Sequence, residues 1–153
     1  MIIATPKFTI DVDVEKTKTY YSTAKFISED CSCIGCRNYE KAIDFISDEI
    51  VSFFSRLGVD TKKAREVYVY GPNANGTMLY GGWYHVCGKV ISGEIMPGQW
   101  NEEKLHIIAN SFGITCSNGG DLVDDAFPQP IMQIDIHADV PWVLDEKHDL
   151  HKM

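Results

Sequence analysis

The segment EVYVYGPNANGTMLYGGWYHVCGKVI, residues 66–91, has the pattern of two β-strands joined by a turn. Valine alternates with tyrosine over residues 66–70, and this alternation is typical of a strand. The run GPNANG at residues 71–76 is a strong turn signal, and β-favouring residues return after it. Gly81 and Gly82 interrupt the second strand and predict a bulge or a bend. The segment therefore predicts an antiparallel hairpin.

Other segments predict further strands and a helical region. Apolar residues alternate with polar ones over residues 8–14 and 132–138, which predicts two half-buried strands. Apolar residues recur at helical spacing over residues 38–57, with an interruption at Ser47, which is a good N-cap. We expect either two short helices that meet at Ser47 or one bent helix, ended in both cases by Gly58.

The region that follows the hairpin is less regular. Residues 101–112 carry apolar side chains at positions i, i+3, i+4 and i+7, which favours a short helix closed by Gly113. A strand over residues 105–109 is the rival interpretation. Residues 117–130 are rich in glycine, aspartate and proline, and they predict a long loop.

The order of these elements predicts an α+β fold with an antiparallel or mixed sheet and two to three short helices on one face. Strands that follow one another directly favour this class over a doubly wound fold. A chain of 153 residues fits one domain. We expect that domain over residues 1–146, followed by a charged tail at residues 147–153.

Charge and composition disfavour several classes of partner. The chain has 14 basic and 22 acidic residues and a net charge of −8, so we expect no binding of bulk nucleic acid or of a membrane surface. No stretch approaches the ~20 apolar residues of a membrane helix, and no secretory signal is visible. The odd count of five cysteines agrees with a cytoplasmic protein whose thiols are reduced. A small molecule is the expected partner, and the composition leaves the oligomeric state open.

The run CSCIGC at residues 31–36 is the sharpest chemical signal. Cys33 and Cys36 are spaced so that a turn can point two thiolates at one tetrahedral metal ion, and Cys31 can supply a third. Zinc is the metal that we expect for such a set of ligands. A closed site needs a fourth ligand, for which the candidates are His85, Cys87 and Cys116.

Two other interpretations of these cysteines stay open. Cys33 and Cys36 lead into a helix, whose N-terminus lowers the pKa of a thiol and so favours redox chemistry. The strand that a thioredoxin-like unit places before this motif is not clear in the sequence. The three thiols could also be reduced side chains that only pack.

The aromatic run at residues 80–85 is a second candidate site. Glycines let a backbone approach a ligand closely, and neighbouring aromatic rings can stack on a flat molecule such as a nucleobase. A twisted hairpin whose aromatic side chains lie half in the core is the alternative. The residues that we predict to bind a ligand here are Tyr80, Trp83, Tyr84 and His85, together with Arg37.

No catalytic motif is present. The chain lacks a P-loop, a dinucleotide-binding fingerprint, a nucleophile elbow and an H-E-x-x-H motif. His148 and His151 have the helical spacing of a metal pair, but they lie in the charged tail. The loop with Asp121, Asp124 and Asp125 lacks the alternating oxygen ligands of a calcium site. We therefore predict no catalytic residue.

Five motifs occur in order along the chain: CSCIGCRNY at 31–39, LGVD at 57–60, YGGWYH at 80–85, FPQP at 127–130 and PWVLDE at 141–146. In this combination the chain resembles a family of small bacterial proteins that is common in Firmicutes and occurs near mobile elements. The resemblance spans residues 31–146. It implies that the cysteine loop and the YGGWYH segment matter, and it implies no catalytic residues.

These observations predict a non-enzymatic binding protein with a cysteine-rich metal-binding loop and an aromatic pocket for a small ligand. By analogy with the resemblance, a nucleotide signal that is sequestered by a phage-type protein is one conceivable ligand. Two other classes stay open. One is an enzyme, either a thiol-dependent redox protein that uses the cysteine cluster or a metal hydrolase. The other is a protein–protein adaptor that presents Trp100 or Trp142.

Overall fold

The structure, a computed structural model, describes residues 1–148. Within them lie seven strands: β1 (Ile2–Ala4), β2 (Thr9–Val12), β3 (Glu66–Pro72), β4 (Met78–Ser92), β5 (His106–Ala109), β6 (Phe112–Asn118) and β7 (Ile131–Val140). The α-helices are α1 (Val14–Thr23), α2 (Ile27–Asp30), α3 (Ile34–Ala42) and α4 (Asp48–Arg56), and short 3₁₀ turns span Ile43–Phe45 and Thr61–Lys63. Most of the predicted tail, including His151, lies outside the described residues.

The strands form one sheet in the order β1-β2-β4-β7-β6-β5, and β3 also pairs with β4. Every pairing is antiparallel, so the predicted α+β class is confirmed. The hairpin of β3 and β4 is present, but β4 runs through Gly81 and Gly82 without a break. A Cβ atom at Gly82 would lie 2.2 Å from the Glu66 carbonyl oxygen. Gly82 therefore permits the close approach of β3.

One edge of β4 is completed partly by side chains. On this edge β3 pairs with the first part of β4 and β2 pairs with the last part. Helix α1 fills the gap between them. The Tyr21 hydroxyl donates to the His85 carbonyl oxygen at 2.7 Å, and Thr17 Oγ1 accepts from the Cys87 N–H at 3.1 Å. Because buried backbone groups need hydrogen-bond partners, these two side chains fix the position of α1.

Helices α3 and α4 pack on the face of the sheet that carries Tyr80 and Tyr84. The ring centroids of Tyr39 and Tyr80 are 5.4 Å apart, and those of Phe54 and Tyr84 are 4.8 Å apart. All four side chains are fully buried. The two helices are separate, and the Ser47 side chain caps α4. The interpretation as two helices, not one bent helix, is therefore correct.

The opposite face of the sheet is polar and is covered by loops. Burial raises the pKa of Asp135 to about 6 and lowers the pKa of His137 to about 4. The indole of Trp100 stacks on the His137 ring with 3.9 Å between the centroids, so the loop before β5 covers this part of the face. The buried polar residues here are His85, Thr115, Ser117, Gln133, Asp135 and His137.

The helix predicted over residues 101–112 is wrong, and the rival strand is present as β5. Asn110 and Ser111 have φ angles of 44° and 62°. Two consecutive residues with positive φ form the tight turn that suits a hairpin, so β5 pairs directly with β6, with Ala109 opposite Phe112. The apolar residues had helical spacing because some of them belong to β5 (Ile108 and Ala109) and one belongs to β6 (Phe112).

The sequence does not predict helix α1. Its residues include valine, threonine and tyrosine, which favour strands, and its buried residues are Thr17 and Tyr21. The Asp13 side chain accepts a hydrogen bond from the Lys16 N–H and thereby starts the helix. With α1 and α2, residues 1–148 contain four α-helices where two to three are predicted. Not one of them combines the length and the hydropathy that a membrane crossing requires.

We predict that Thr17→Val lowers the free energy of unfolding by about 1–3 kcal/mol. The substitution keeps the shape of the side chain but leaves the buried Cys87 N–H without its acceptor. Thr19→Val, at an exposed position of the same helix, is the matched control because the change in helix propensity is the same. Urea unfolding measures both variants. Equal stability of the two would contradict the role of Thr17 at the sheet edge.

Candidate metal centre

Three cysteines meet where α2 ends and α3 begins. Cys31 is the C-cap of α2, Cys33 is the N-cap of α3, and Cys36 lies in the first turn of α3. Their Sγ atoms all lie within 4.8 Å of one another. Cys31 is exposed, Cys33 is half-buried, Cys36 is buried, and all three are free thiols. The structure thus brings together the three sulfurs that the sequence singles out.

The start of α3 fixes this arrangement. The Cys33 Sγ accepts a hydrogen bond from the Cys36 N–H at 3.4 Å, so the sulfur serves as a helix cap. Arg37 Nε donates to the Ser32 carbonyl oxygen at 3.0 Å. The same guanidinium forms a bidentate pair with Glu146 at 2.7 and 3.0 Å. The loop is therefore tied both to its own helix and to the C-terminal segment.

Strand β4 supports the same loop from the sheet. The Tyr80 hydroxyl donates to the Gly35 carbonyl oxygen at 2.7 Å. Asn38 Nδ2 donates to the Tyr80 hydroxyl at 3.3 Å and to the Pro141 carbonyl oxygen at 3.1 Å. Asn38 Oδ1 accepts from the Val143 N–H at 2.8 Å. Because Asn38 is fully buried and well partnered, this network holds the first turns of α3 in one position.

The thiols of the cluster differ in their tendency to ionise. Hydrogen bonding from the Cys33 backbone N–H, and then from the neighbouring thiols, lowers the pKa of Cys31. Burial, and then hydrogen bonding with its neighbours, raises the pKa of Cys36. Cys31 therefore forms a thiolate more readily than Cys36. A metal ion in their midst would favour the thiolate form of all three sulfurs.

The set of donors fits a thiophilic metal ion. Zinc binds thiolates at about 2.3 Å in a tetrahedral arrangement, which places two sulfur ligands about 3.8 Å apart. Sγ atoms that lie within 4.8 Å of one another reach this separation through small side-chain rotations. Cys31, Cys33 and Cys36 could therefore hold a metal ion. Among residues 1–148, no further histidine, cysteine, aspartate or glutamate belongs to this group.

The three candidates for a fourth ligand lie elsewhere. His85 hydrogen-bonds to Gln133 on the polar face of the sheet, and Cys87 Sγ contacts the Gln129 carbonyl oxygen at 3.5 Å. Residues 85 and 87 of β4 point away from α3 because successive side chains of a strand alternate between faces. Cys116 is buried in β6, which is separated from β4 by β7, and two strand spacings amount to about 10 Å.

A small cavity of about 280 Å³ adjoins the cluster. Cys31 and Cys36 line it together with three charged residues, Asp30, Arg65 and Glu66. Arg65 and Glu66 lie at the start of β3, which packs beside α3. Sequence reasoning missed Arg65 and Glu66, because the contact between α3 and β3 brings them to the cluster and no local spacing signals it.

A larger groove of about 990 Å³ lies next to this cavity. Asp30, Ala64 and Arg65 border both spaces. The Tyr20 hydroxyl donates to Asp124 Oδ2 at 2.8 Å and joins α1 to the loop after β6 across the groove. Equal numbers of basic and acidic side chains line it, and they are Lys16, Lys25, Lys63, Arg65, Glu15, Asp30, Asp124 and Asp125.

The five residues predicted to bind a ligand are not brought together. Tyr80 and Tyr84 face the helices and are fully buried in the core. Trp83 and His85 point to the opposite face, where His85 borders the groove. Arg37 lies at the cysteine loop. The described residues therefore contain no single pocket of all five, and a ligand role for any of them stays a prediction.

Both tryptophans that were considered as adaptor anchors are half-buried. Trp100 stacks on His137, and the Trp142 indole N–H donates to the Glu146 carbonyl oxygen at 2.7 Å. Each indole thus has a partner within the chain. This arrangement gives no specific support to the adaptor hypothesis.

Comparison of the chain with protein-family models, with curated proteins and with solved structures gives no match. The resemblance to a bacterial family therefore stays an expectation. The class of site is defined by the residues themselves: a three-cysteine cluster able to hold a metal ion, beside a groove of small-molecule size.

In metal-free protein at about pH 8, we expect iodoacetamide to label Cys31 before Cys36. Cys31 is exposed and its pKa is lowered, whereas Cys36 is buried and its pKa is raised, so the thiolate fraction and the access both favour Cys31. Cys87 and Cys116 are buried, and burial raises the pKa of each, so they are the controls that react only on unfolding. Peptide mass spectrometry over time measures the order. Labelling of Cys36 first would contradict the arrangement described.

Proposed function

We propose that the protein is a metal-binding protein in which Cys31, Cys33 and Cys36 hold one zinc ion as thiolates. The observation that carries the proposal is the convergence of three free Sγ atoms within 4.8 Å of one another. Thiolates select thiophilic ions, and zinc combines this preference with tetrahedral geometry. Zinc has no redox chemistry of its own, so it suits a structural or a binding role.

The bound metal ion would hold the end of helix α2 against the start of helix α3. Helix α2 has four residues, and so short a helix is not stable by itself. A metal bond at Cys31 ties the end of α2 to the first turn of α3. That turn is already anchored to β4 through Tyr80. Because the ligands converge only in the folded chain, metal binding stabilises the fold by mass action.

The groove is the better candidate for small-molecule binding than the aromatic run. Ligand pockets of proteins commonly measure roughly 300–1,000 Å³, and the groove measures about 990 Å³. Of the residues predicted to bind a ligand, His85 borders it. A nucleotide-like ligand, as the resemblance to proteins near mobile elements suggests, would lie in this groove. The protein would bind such a ligand without converting it, because the sequence contains no catalytic motif.

A thiol-dependent redox protein is the second candidate. It is favoured by the position of Cys33 and Cys36 at the start of the nine-residue helix α3, with Cys31 close by. Exchange with a disulfide substrate would convert two of these thiols into a disulfide and the substrate disulfide into two thiols. The two candidates differ in one respect: bound metal protects the thiols, whereas exchange requires an accessible one.

We expect the purified protein to carry about one zinc ion per chain and Cys31→Ala to lose it. Because Cys31 is exposed, this substitution leaves the core intact. A chelator should lower the Tm of the natural protein and leave that of Cys31→Ala unchanged. Cys87→Ala removes a thiol outside the cluster, so it is the control that should retain the metal when the variant is folded. Elemental mass spectrometry and thermal melts measure both effects.

Two results would overturn this proposal. Retention of the full zinc content in Cys31→Ala would show that the cluster is not the metal site. A metal-free natural protein whose cluster forms a disulfide in stoichiometric exchange with an oxidised thiol would favour the redox candidate instead.

A further inference from the structure

The proposed metal site has three protein ligands and an adjoining cavity. Structural zinc sites are closed by four protein ligands, whereas a site with three leaves one position for an exchangeable ligand. Within residues 1–148, Cys31, Cys33 and Cys36 form the whole ligand group. The cavity beside Cys31 and Cys36 measures about 280 Å³, which leaves room for several water-sized molecules of about 30 Å³ each.

The cavity carries an excess of negative charge. Arg65 Nη1 lies 4.0 Å from Asp30 Oδ2, so the guanidinium largely offsets that carboxylate. Glu66 is half-buried in the wall of the cavity. Glu66 lines the same cavity as Cys31 and Cys36. Glu66 therefore contributes a negative charge to the cavity beside the sulfur cluster.

We infer that the fourth position of the metal is open and takes an exchangeable neutral ligand from this cavity, beside Glu66. The inference rests on the proposed metal site. Three thiolates around a Zn²⁺ ion leave one net negative charge, and Glu66 adds another close by. An anionic ligand is repelled by both. Charge therefore favours a neutral donor, such as a ring nitrogen of imidazole, over an anion such as azide.

The groove gives such a ligand a route to the site. Asp30, Ala64 and Arg65 border the groove and the cavity alike, so the two spaces are neighbours. A small molecule in the groove can extend a donor atom past Arg65 toward the cluster. The donor that suits the charge of the cavity is a neutral ring nitrogen, presented by a small molecule that fits the groove.

Cobalt substitution tests the inference, because the visible absorption of Co²⁺ responds to a change in its ligands. The full chain is loaded with Co²⁺ and is titrated with imidazole and, in a separate sample, with azide. We expect imidazole to shift the absorption bands in a saturable way while Co²⁺ stays bound. We expect azide to need a concentration at least about tenfold higher for the same response.

Glu66→Gln tests the part played by the carboxylate. The substitution removes a negative charge from the cavity wall, so the ratio of azide to imidazole affinity should rise by about threefold or more. Glu102→Gln makes the same change at an exposed position in the loop before β5, so it is the matched control and should leave the ratio unchanged.

The outcomes separate the two proposals. If Co²⁺ does not bind with the strong absorption of a thiolate complex, the proposed metal site itself is overturned. If Co²⁺ binds with that absorption and does not respond to imidazole, the site is closed by a fourth ligand and only the present inference is overturned. An unchanged affinity ratio in Glu66→Gln would overturn the role of Glu66.

Discussion

One edge of β4 lacks a neighbouring strand between its pairings with β3 and β2, and this gap constrains the rest of the molecule. Buried backbone groups must be hydrogen-bonded, and here Tyr21 and Thr17 of α1 supply the bonds that a strand would otherwise make. A strand would fill the space beside β4. A helix that bonds to the strand through side chains leaves part of that space open. The groove beside His85 is thus a consequence of how the sheet edge is completed.

The same strand also positions the cysteine cluster. The Tyr80 side chain projects from β4 toward the helices and hydrogen-bonds to Gly35 and Asn38 at the start of α3. Asn38 in turn holds the backbone of Pro141 and Val143. Such a buried polar network is stable only when its members are all partnered, and it then specifies one arrangement. Cysteines on so firmly held a helix start are preorganised, and they could hold a metal ion without rearrangement of the backbone.

Local sequence patterns predict those features of the structure that depend on residues close together in the sequence. Alternation predicts β7, the N-cap residue Ser47 separates two helices, and the three cysteines within residues 31–36 are visible because their spacing is short. The features that the sequence does not predict depend on contacts between residues that are far apart in the sequence. Helix α1 is fixed by the edge of β4 against its own residue preferences, and Glu66 borders the cavity beside the cluster because β3 packs on α3. Tyr84 and His85 are adjacent in sequence, yet the alternation of the strand places them on opposite faces.

X-ray absorption at the zinc edge tests the three-cysteine site most directly, because it counts the atoms bound to the metal and measures their distances. We expect three sulfur atoms at about 2.3 Å and one nitrogen or oxygen atom at about 2.0–2.1 Å. A shell of nitrogen and oxygen atoms alone would contradict binding at Cys31, Cys33 and Cys36. A shell of four sulfur atoms would contradict the open fourth position.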